Sequence, residues 1–339
     1  CTYVKSDIGM LRSGNVGPTG QRLPKPNLLL LSYTGCFTFM KWFELLREEY
    51  GGCPVAMLHV PYQADGKITD AMRDYVVAQL KQKVIPALEL ATGRAYDEGR
   101  LKECLERSAR AEDDLVWVLE SAKHVPSPID AYFGAVYYVG PIFSSFRGTE
   151  DAVTYYRMLR EEIAERIRLG KGPVTPDGDA GEERFRVVME GPPNWTSFRQ
   201  LWKMFVDEGA VAVASTYAKV GGVYDTGFRH DPSRPLESLA EYCLGCYTNL
   251  SLPTRIDLLT KYVADYRADG FLINSVKSCN SFSAGQLHIL REVEARSAKP
   301  GGFFESDLVD PRYFSAANIK NRLESYFQML GQKRAGGAA

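Results

Sequence analysis

Apolar positions along this chain fall into short continuous runs separated by amphipathic stretches, the pattern of strands covered by helices. The clearest run is NLLLLSYTGCF, residues 27–37, where four leucines lead into a small polar turn between Pro26 and Gly35. It predicts a strand buried on both faces, with Cys36 at its carboxyl end. Phe39, Trp42, Phe43, Leu45 and Leu46 then share one helical face over residues 37–50, and PVAMLHV at 54–60 reads as a second buried strand. These elements make a β-α-β unit with parallel strands and a right-handed crossover. Residues 1–26 precede it as an N-terminal segment that carries Cys1 and ends in the Gly/Pro-rich loop 13–26.

Beyond residue 67 the period becomes helical, over 68–92, 97–123 and 150–169. Between the last two lies a stretch with Pro126, Pro128 and Pro141 and the aromatics Tyr132, Phe133, Tyr137 and Tyr138. Residues 68–170 therefore read as a helical insertion in a first domain, 27–170. The polar stretch 171–183, dense in Gly and Pro, reads as the linker. Strand and helix signals then alternate through a second domain, 184–331: strands at 184–190, 211–217, 270–276 and 302–305, and helices at 195–208, 236–246, 255–267, 283–296 and 316–330. The tail 332–339 is expected to be disordered. The fold class is α/β, two Rossmann- or flavodoxin-like parallel-sheet domains with a site in the cleft between them.

The second half repeats the logic of the first, because DGFLINSVKSCN is an apolar strand ending in a small polar turn with Cys279. Ligands of open α/β sheets bind at the carboxyl ends of strands. Two thiolates facing one cleft suit a soft metal, either zinc or an iron–sulfur cluster. Cys243 and Cys246 form a lone CxxC, and Cys246 is the better ligand candidate of the pair. Cys53 and Cys104 read as small buried residues. His59, His124, His230 and His288 stand in unrelated contexts, with structural roles favoured. No GxGxxG, GxxxxGK[ST] or GxSxG is present, so the chain shows no nucleotide-binding loop of its own.

Composition narrows the partners. With 339 residues, 45% hydrophobic, 24% charged and a net charge of −1, the chain is globular and gives no electrostatic reason to bind nucleic acid or acidic lipid. No apolar run approaches the ~20 residues of a membrane span. Seven unevenly spaced cysteines are no disulfide framework and fit a reducing cytoplasm. A chain that starts on Cys1 reads as a lipoprotein, as an N-terminal-nucleophile hydrolase using that thiol, or as part of a longer subunit. The last is favoured, since CTYVKSDIGML has the pattern of a structured interior segment and no flexible spacer follows.

Four stretches taken together carry a resemblance: CTYVKSDIGML, PKPNLLLLSYTGCFTFMKWFELL, DGFLINSVKSCN and FFESDLVDPRYFSAANIKNRLESYF. They resemble the 2-hydroxyacyl-CoA dehydratase D-component family and, within it, the B-subunit branch of ATP-dependent (class I) benzoyl-CoA reductases. The resemblance implies that Cys1, Cys36 and Cys279 are three ligands of a [4Fe-4S] cluster whose fourth iron stays open to a non-cysteine ligand. It implies an ATPase activator, with the ATP and a second cluster on that partner, taking electrons from ferredoxin. A homologous cluster-bearing subunit would complete the enzyme. Electrons would pass one at a time to an aromatic acyl-CoA, benzoyl-CoA first, giving a dienoyl-CoA. The alternatives are a 2-hydroxyacyl-CoA dehydratase subunit, a scaffold with a structural cluster, or the metal-free hydrolase using Cys1. Family members carry a further domain upstream of the first cysteine, which favours truncation here.

Smaller expectations follow for the surroundings. Ser278 and Asn280 read either as hydrogen-bond donors to cluster sulfurs or as turn and cap residues. Glu305 and Asp307 read as proton carriers or, more commonly, as salt-bridge partners. The aromatic stretch 132–146 reads as a pocket for a flat ring or as core.

Overall fold

Parallel pairing organises the chain, in one sheet of two strands and another of four. The computed structural model describes residues 1–17, 19–143, 146–175, 177–217 and 224–336. Helix α1 (Thr2–Arg12) opens the chain. Strand β1 (Leu29–Tyr33), helix α2 (Thr38–Glu49) and strand β2 (Val55–His59) form the β-α-β unit, with Leu29 opposite Val55 and Tyr33 opposite His59.

The expectation that these two strands are buried on both faces is corrected. Leu29 and Leu31 are covered, as are Ala56 and Leu58, but Leu30, Val55 and Met57 keep 45%, 39% and 39% of their surface exposed. Successive side chains point to opposite faces of a strand. A sheet only two strands wide is thus half covered on each side, β1 with α2 in one apolar cluster and β2 with the following helix in another.

That helix, α3 (Asp70–Gln79), continues through a π-helical turn, Leu80–Val84, into α4 (Ile85–Thr92). Then come the long α5 (Glu98–Glu120), the short α6 (Ala135–Tyr138) and α7 (Gly140–Phe143), and α8 (Glu150–Arg168). Thr69, Asp97 and Thr149 cap α3, α5 and α8, each side chain accepting an N–H of the first turn. The stretch expected as a linker folds into a hairpin of β3 (Val174–Thr175) and β4 (Gly178–Asp179).

The second sheet follows: β5 (Phe185–Glu190), α9 (Phe198–Asp207), β6 (Ala210–Ser215), α10 (Pro235–Leu244), α11 (Leu252–Asp265), β7 (Gly270–Val276), α12 (Asn280–Ser283), α13 (Gln286–Ser297), β8 (Gly301–Ser306) and α14 (Ala316–Gly336). All its pairings are parallel, in the order β6-β5-β7-β8. Alternate residues divide between two cores. Val188, Val213 and Ile273 join side chains of α5, α8, α11 and α13 on one face, whereas Val187, Ala212 and Leu272 join α9, α14, Tyr132 and Phe133 on the other. Helices α5 and α8, which the sequence pattern places with the first unit, thus bury their stripes against the second sheet. The two-stranded sheet has too little apolar area to cover them. The expected disordered tail also shortens, because α14 runs to Gly336, held where Arg334 pairs with Asp269 at 2.6 Å. Residues 337–339 lie outside the described residues.

Candidate metal centre

Each of the three family-implied cysteines starts a helix or a turn leading into one. Cys279 follows β7 and stands at the N-cap position of α12, its side chain making no cap hydrogen bond to that turn. Burial pushes the thiol up, the nearby backbone N–H groups of Phe282 and Ser281 act the other way, and Cys36 adds to the rise. Cys36 therefore stands within electrostatic reach of Cys279.

Hydrogen bonds tie the three segments together. Ser281 Oγ donates to the Gly35 carbonyl at 3.2 Å, which joins the Cys36 turn to the Cys279 turn. Asp307, fully buried just after β8, joins the Cys279 turn to α1. Its Oδ1 accepts from Thr2 Oγ1 at 2.5 Å and its Oδ2 from the Ser278 N–H at 3.1 Å. The Ser278 hydroxyl meets Thr2 Oγ1 at 3.1 Å and accepts the Thr2 N–H at 3.4 Å. Among the described residues no group of three His, Cys, Asp or Glu side chains is closed into metal-binding geometry. What converges is the set of turns, with all three thiols half-buried.

Gly35 makes the Cys36 turn possible. Its φ is +80°, and a Cβ there would run into the Thr248 carbonyl. Gly35→Ala is expected to cost about 2 kcal/mol or more, from left-handed strain and that collision together, read as a lowered urea midpoint at unchanged slope.

The CxxC divides. Cys243, in the last turn of α10, packs in the core, where burial pushes its thiol up to about 11. Cys246 lies beyond the helix with its sulfur 3.4 Å from Thr248 Oγ1, and that hydroxyl donates to the Thr34 carbonyl at 2.6 Å. Cys246 thus edges the Cys36 turn. Cys53 is buried with its thiol on the Pro26 carbonyl, and Cys104 is half-buried beneath Gly148. Among the histidines, His59 stacks on Tyr33 and meets Tyr75 edge-on. His230 is buried 2.5 Å from Glu112, which also takes Arg147 at 2.8 Å. Burial opposes ionisation of Glu112, but the bonds from His230 and the Arg147 charge hold its carboxyl below the ordinary range. The other polar neighbours also resolve. Glu305 pairs with Lys277 at 3.0 Å, and Asn280 opens α12.

One cavity adjoins these turns and a second is lined by other segments. One of about 400 Å³ is lined by Gly35, Phe37, Tyr62, Arg255, Asn280 and Ser281, directly beside Cys36 and Cys279. A larger one, about 940 Å³, is walled by Phe133, Tyr137, Tyr138, Trp195, Phe198 and Trp202, with Arg166 and Arg199 at its margin. Of the aromatic stretch, Tyr132 is core, whereas Phe133, Tyr137 and Tyr138 reach this cavity. Trp195 Nε1 donates to the hydroxyl of Tyr3, which itself interacts with Cys279. Sequence reasoning missed Tyr3, Trp195 and Arg255, and nothing in their neighbourhoods marks them.

Parallel strands in two sheets, with the Cys36 and Cys279 turns at the carboxyl ends of β1 and β7, define an α/β protein. The chain belongs to the 2-hydroxyglutaryl-CoA dehydratase, D-component family, whose sequence profile matches residues 1–330. It is 68% identical over 338 residues to the B-subunit of benzoyl-CoA reductase from Thauera aromatica, covering 100% of this chain and 78% of that one. It is 25% identical over 342 residues to the (R)-2-hydroxyisocaproyl-CoA dehydratase alpha subunit of Clostridioides difficile, covering 98% and 78%. A third relative, the (R)-phenyllactyl-CoA dehydratase alpha subunit of Clostridium sporogenes, is 23% identical over 335 residues, covering 98% and 77%. No helix among the described residues is long and apolar enough to cross a membrane.

Proposed function

We propose that this chain is the iron–sulfur subunit of a benzoyl-CoA reductase, an oxidoreductase that dearomatises benzoyl-CoA to a dienoyl-CoA. The observation that carries the reading is the tie between the Cys1, Cys36 and Cys279 turns through Asp307 and Ser281, in a chain 68% identical to a subunit of such an enzyme. The donor set fits a [4Fe-4S] cluster. Three half-buried thiols on separate turns suit a cubane, which spreads its sulfur ligands wider than a single ion does. Bound there, such a cluster supplies one-electron, low-potential transfer.

The rest falls to the chain's own residues. Asp307 holds the Cys1 segment against the Cys279 turn, and Gly35 lets the Cys36 turn approach. The aromatic side chains of Tyr137, Trp195 and Phe198 offer a flat acyl ring a stacking surface. Arg199 in the lining of the same cavity suits the anionic end of a coenzyme A thioester, whereas Arg166 is already paired with Asp179. An ATPase activator, with its own cluster and electrons from ferredoxin, would supply the reductant, since this chain shows no nucleotide loop. A homologous cluster-bearing subunit would complete the assembly in the cytoplasm.

The dehydratase relatives, at 23–25% identity over nearly the whole chain, support a second reading, loss of water from a 2-hydroxyacyl-CoA. One comparison separates the two. The anaerobic complex with its activator is assayed on benzoyl-CoA and on a 2-hydroxyacyl-CoA, with iron counted and EPR recorded. Ring reduction by a protein with an iron–sulfur signal is expected. Dehydration alone would transfer the assignment to the second reading, and an iron-free active protein would end both.

A further inference from the structure

The smaller cavity carries an unbalanced charge. Arg255, on α11, is 5% exposed and belongs to the lining of that space of about 400 Å³. Its Nε donates to the Tyr247 carbonyl at 3.3 Å and its Nη2 to the Ser281 carbonyl at 2.9 Å, so one edge of the guanidinium is spent on the main chain. Among the described residues Nη1 meets no acceptor and the group has no ion-pair partner. Glu190, the buried carboxylate whose charge it meets at longer range, turns its Oε2 to Thr216 and the Gly191 N–H instead, and burial pushes its carboxyl up. Buried charges are ordinarily paired, because an unpaired one loses its hydration and gains nothing in return.

The walls decide which counter-ion fits. Arg255 is the one charged side chain among the described residues of the lining, which suits a single negative charge rather than the phosphates of coenzyme A. The open edge of a guanidinium takes both oxygens of a carboxylate at once. Phe37 and Tyr62, 52% and 54% exposed, stand at the same cavity with Leu250 and Leu252, so the remainder of a ligand meets aromatic and apolar surface. We infer that this cavity binds an aromatic monocarboxylate, its carboxylate on the free edge of Arg255 and its ring against Phe37 and Tyr62. Benzoate as the probe rests on the reductase reading, whereas the site itself needs no iron at the cysteines.

The test uses the chain purified anaerobically in complex with its partner subunit. Benzoate binding is measured by isothermal titration calorimetry for wild type, Arg255→Lys, Arg255→Met, Tyr62→Ala and Arg199→Ala, with benzamide as the neutral isostere. Wild type is expected to bind benzoate saturably and benzamide at least about tenfold more weakly, the low end for a lost charge-assisted pair. Arg255→Met, which strips the partner from a buried charge pair, weakens benzoate by about 30-fold or more. Arg255→Lys, with the charge but not the fork, falls between. Tyr62→Ala, at the exposed mouth, weakens binding several-fold, and Arg199→Ala, in the larger cavity, leaves it unchanged. No saturable benzoate binding to wild type, equal affinity for benzoate and benzamide, or wild-type affinity in a folded Arg255→Met would overturn the assignment. Loss confined to Arg199→Ala would place the acid in the larger cavity and overturn it equally. If Arg255→Met does not fold by circular dichroism, Arg255→Lys and Tyr62→Ala decide, and wild-type affinity in both overturns it. Ring reduction assayed on the same wild-type preparation keeps the two readings apart: benzoate binding without reduction leaves this site standing, and reduction without benzoate binding leaves the reductase.

Discussion

Cys36→Ser and Cys279→Ser, each purified without oxygen, are expected to lose the iron–sulfur centre and to drop ring reduction by more than about 100-fold, beyond what outer-shell changes cause. The reason lies in how the turns are held. Ser281 ties the Cys36 turn to the Cys279 turn. A serine keeps the turn and its caps, so folding should survive, but it removes a soft ligand for which oxygen is a poor substitute. Cys53→Ser is the matched control. That thiol sits on the Pro26 carbonyl in a small apolar cluster, so its replacement should cost stability and leave iron content unchanged. Iron per chain, the EPR signal and thermal unfolding together make the check. Full iron in Cys36→Ser would remove that residue from the site.

How much of this could be read from the sequence depended on distance along the chain. The Cys36 turn was legible because its determinants are adjacent: an apolar run, then small polar residues, then a helical face. The same is true of Cys279 after β7. The burial of the first sheet was misjudged because four consecutive leucines report apolarity, not the number of neighbouring strands. Leu30 is exposed for lack of an element to cover it. The packing of α5 and α8 on the second sheet was equally hidden, since an amphipathic stripe does not say which surface buries it. Linkage of the cysteine segments was out of reach, because Thr2 and Asp307 meet across nearly the whole chain. Arg255, inside SLPTRIDLLTKY, has the look of a surface cation on a helix, and only its carbonyl partners reveal otherwise.

Asp307→Asn carries the second large effect, because this one carboxylate is the acceptor that α1 and the Cys279 turn share. It is fully buried, and besides Thr2 and Ser278 it takes the N–H groups of Val309 and Asp310 at 3.3 Å each. Exchanging it for an amide keeps the shape but offers an N–H where an acceptor is needed, so a buried donor is left unpaired at a cost of about 1–3 kcal/mol. Burial pushes the Asp307 carboxyl up, yet the bonds from Ser278, Thr2 and the two amides outweigh it and hold the group below the usual carboxylate range. A folded-state value below the unfolded one means the contribution is complete above the unfolded pKa, about 4. It is lost as pH falls through the folded value. The stability gap between wild type and Asp307→Asn should therefore be constant near neutrality and narrow as the solution is acidified below about pH 4. Urea denaturation across that range measures the gap, and amide exchange in α1 shows whether the helix carrying Cys1 has come loose. Protection of α1 equal to wild type in the variant, with no stability gap at pH 7, would mean that Asp307 does not hold the first cysteine in place.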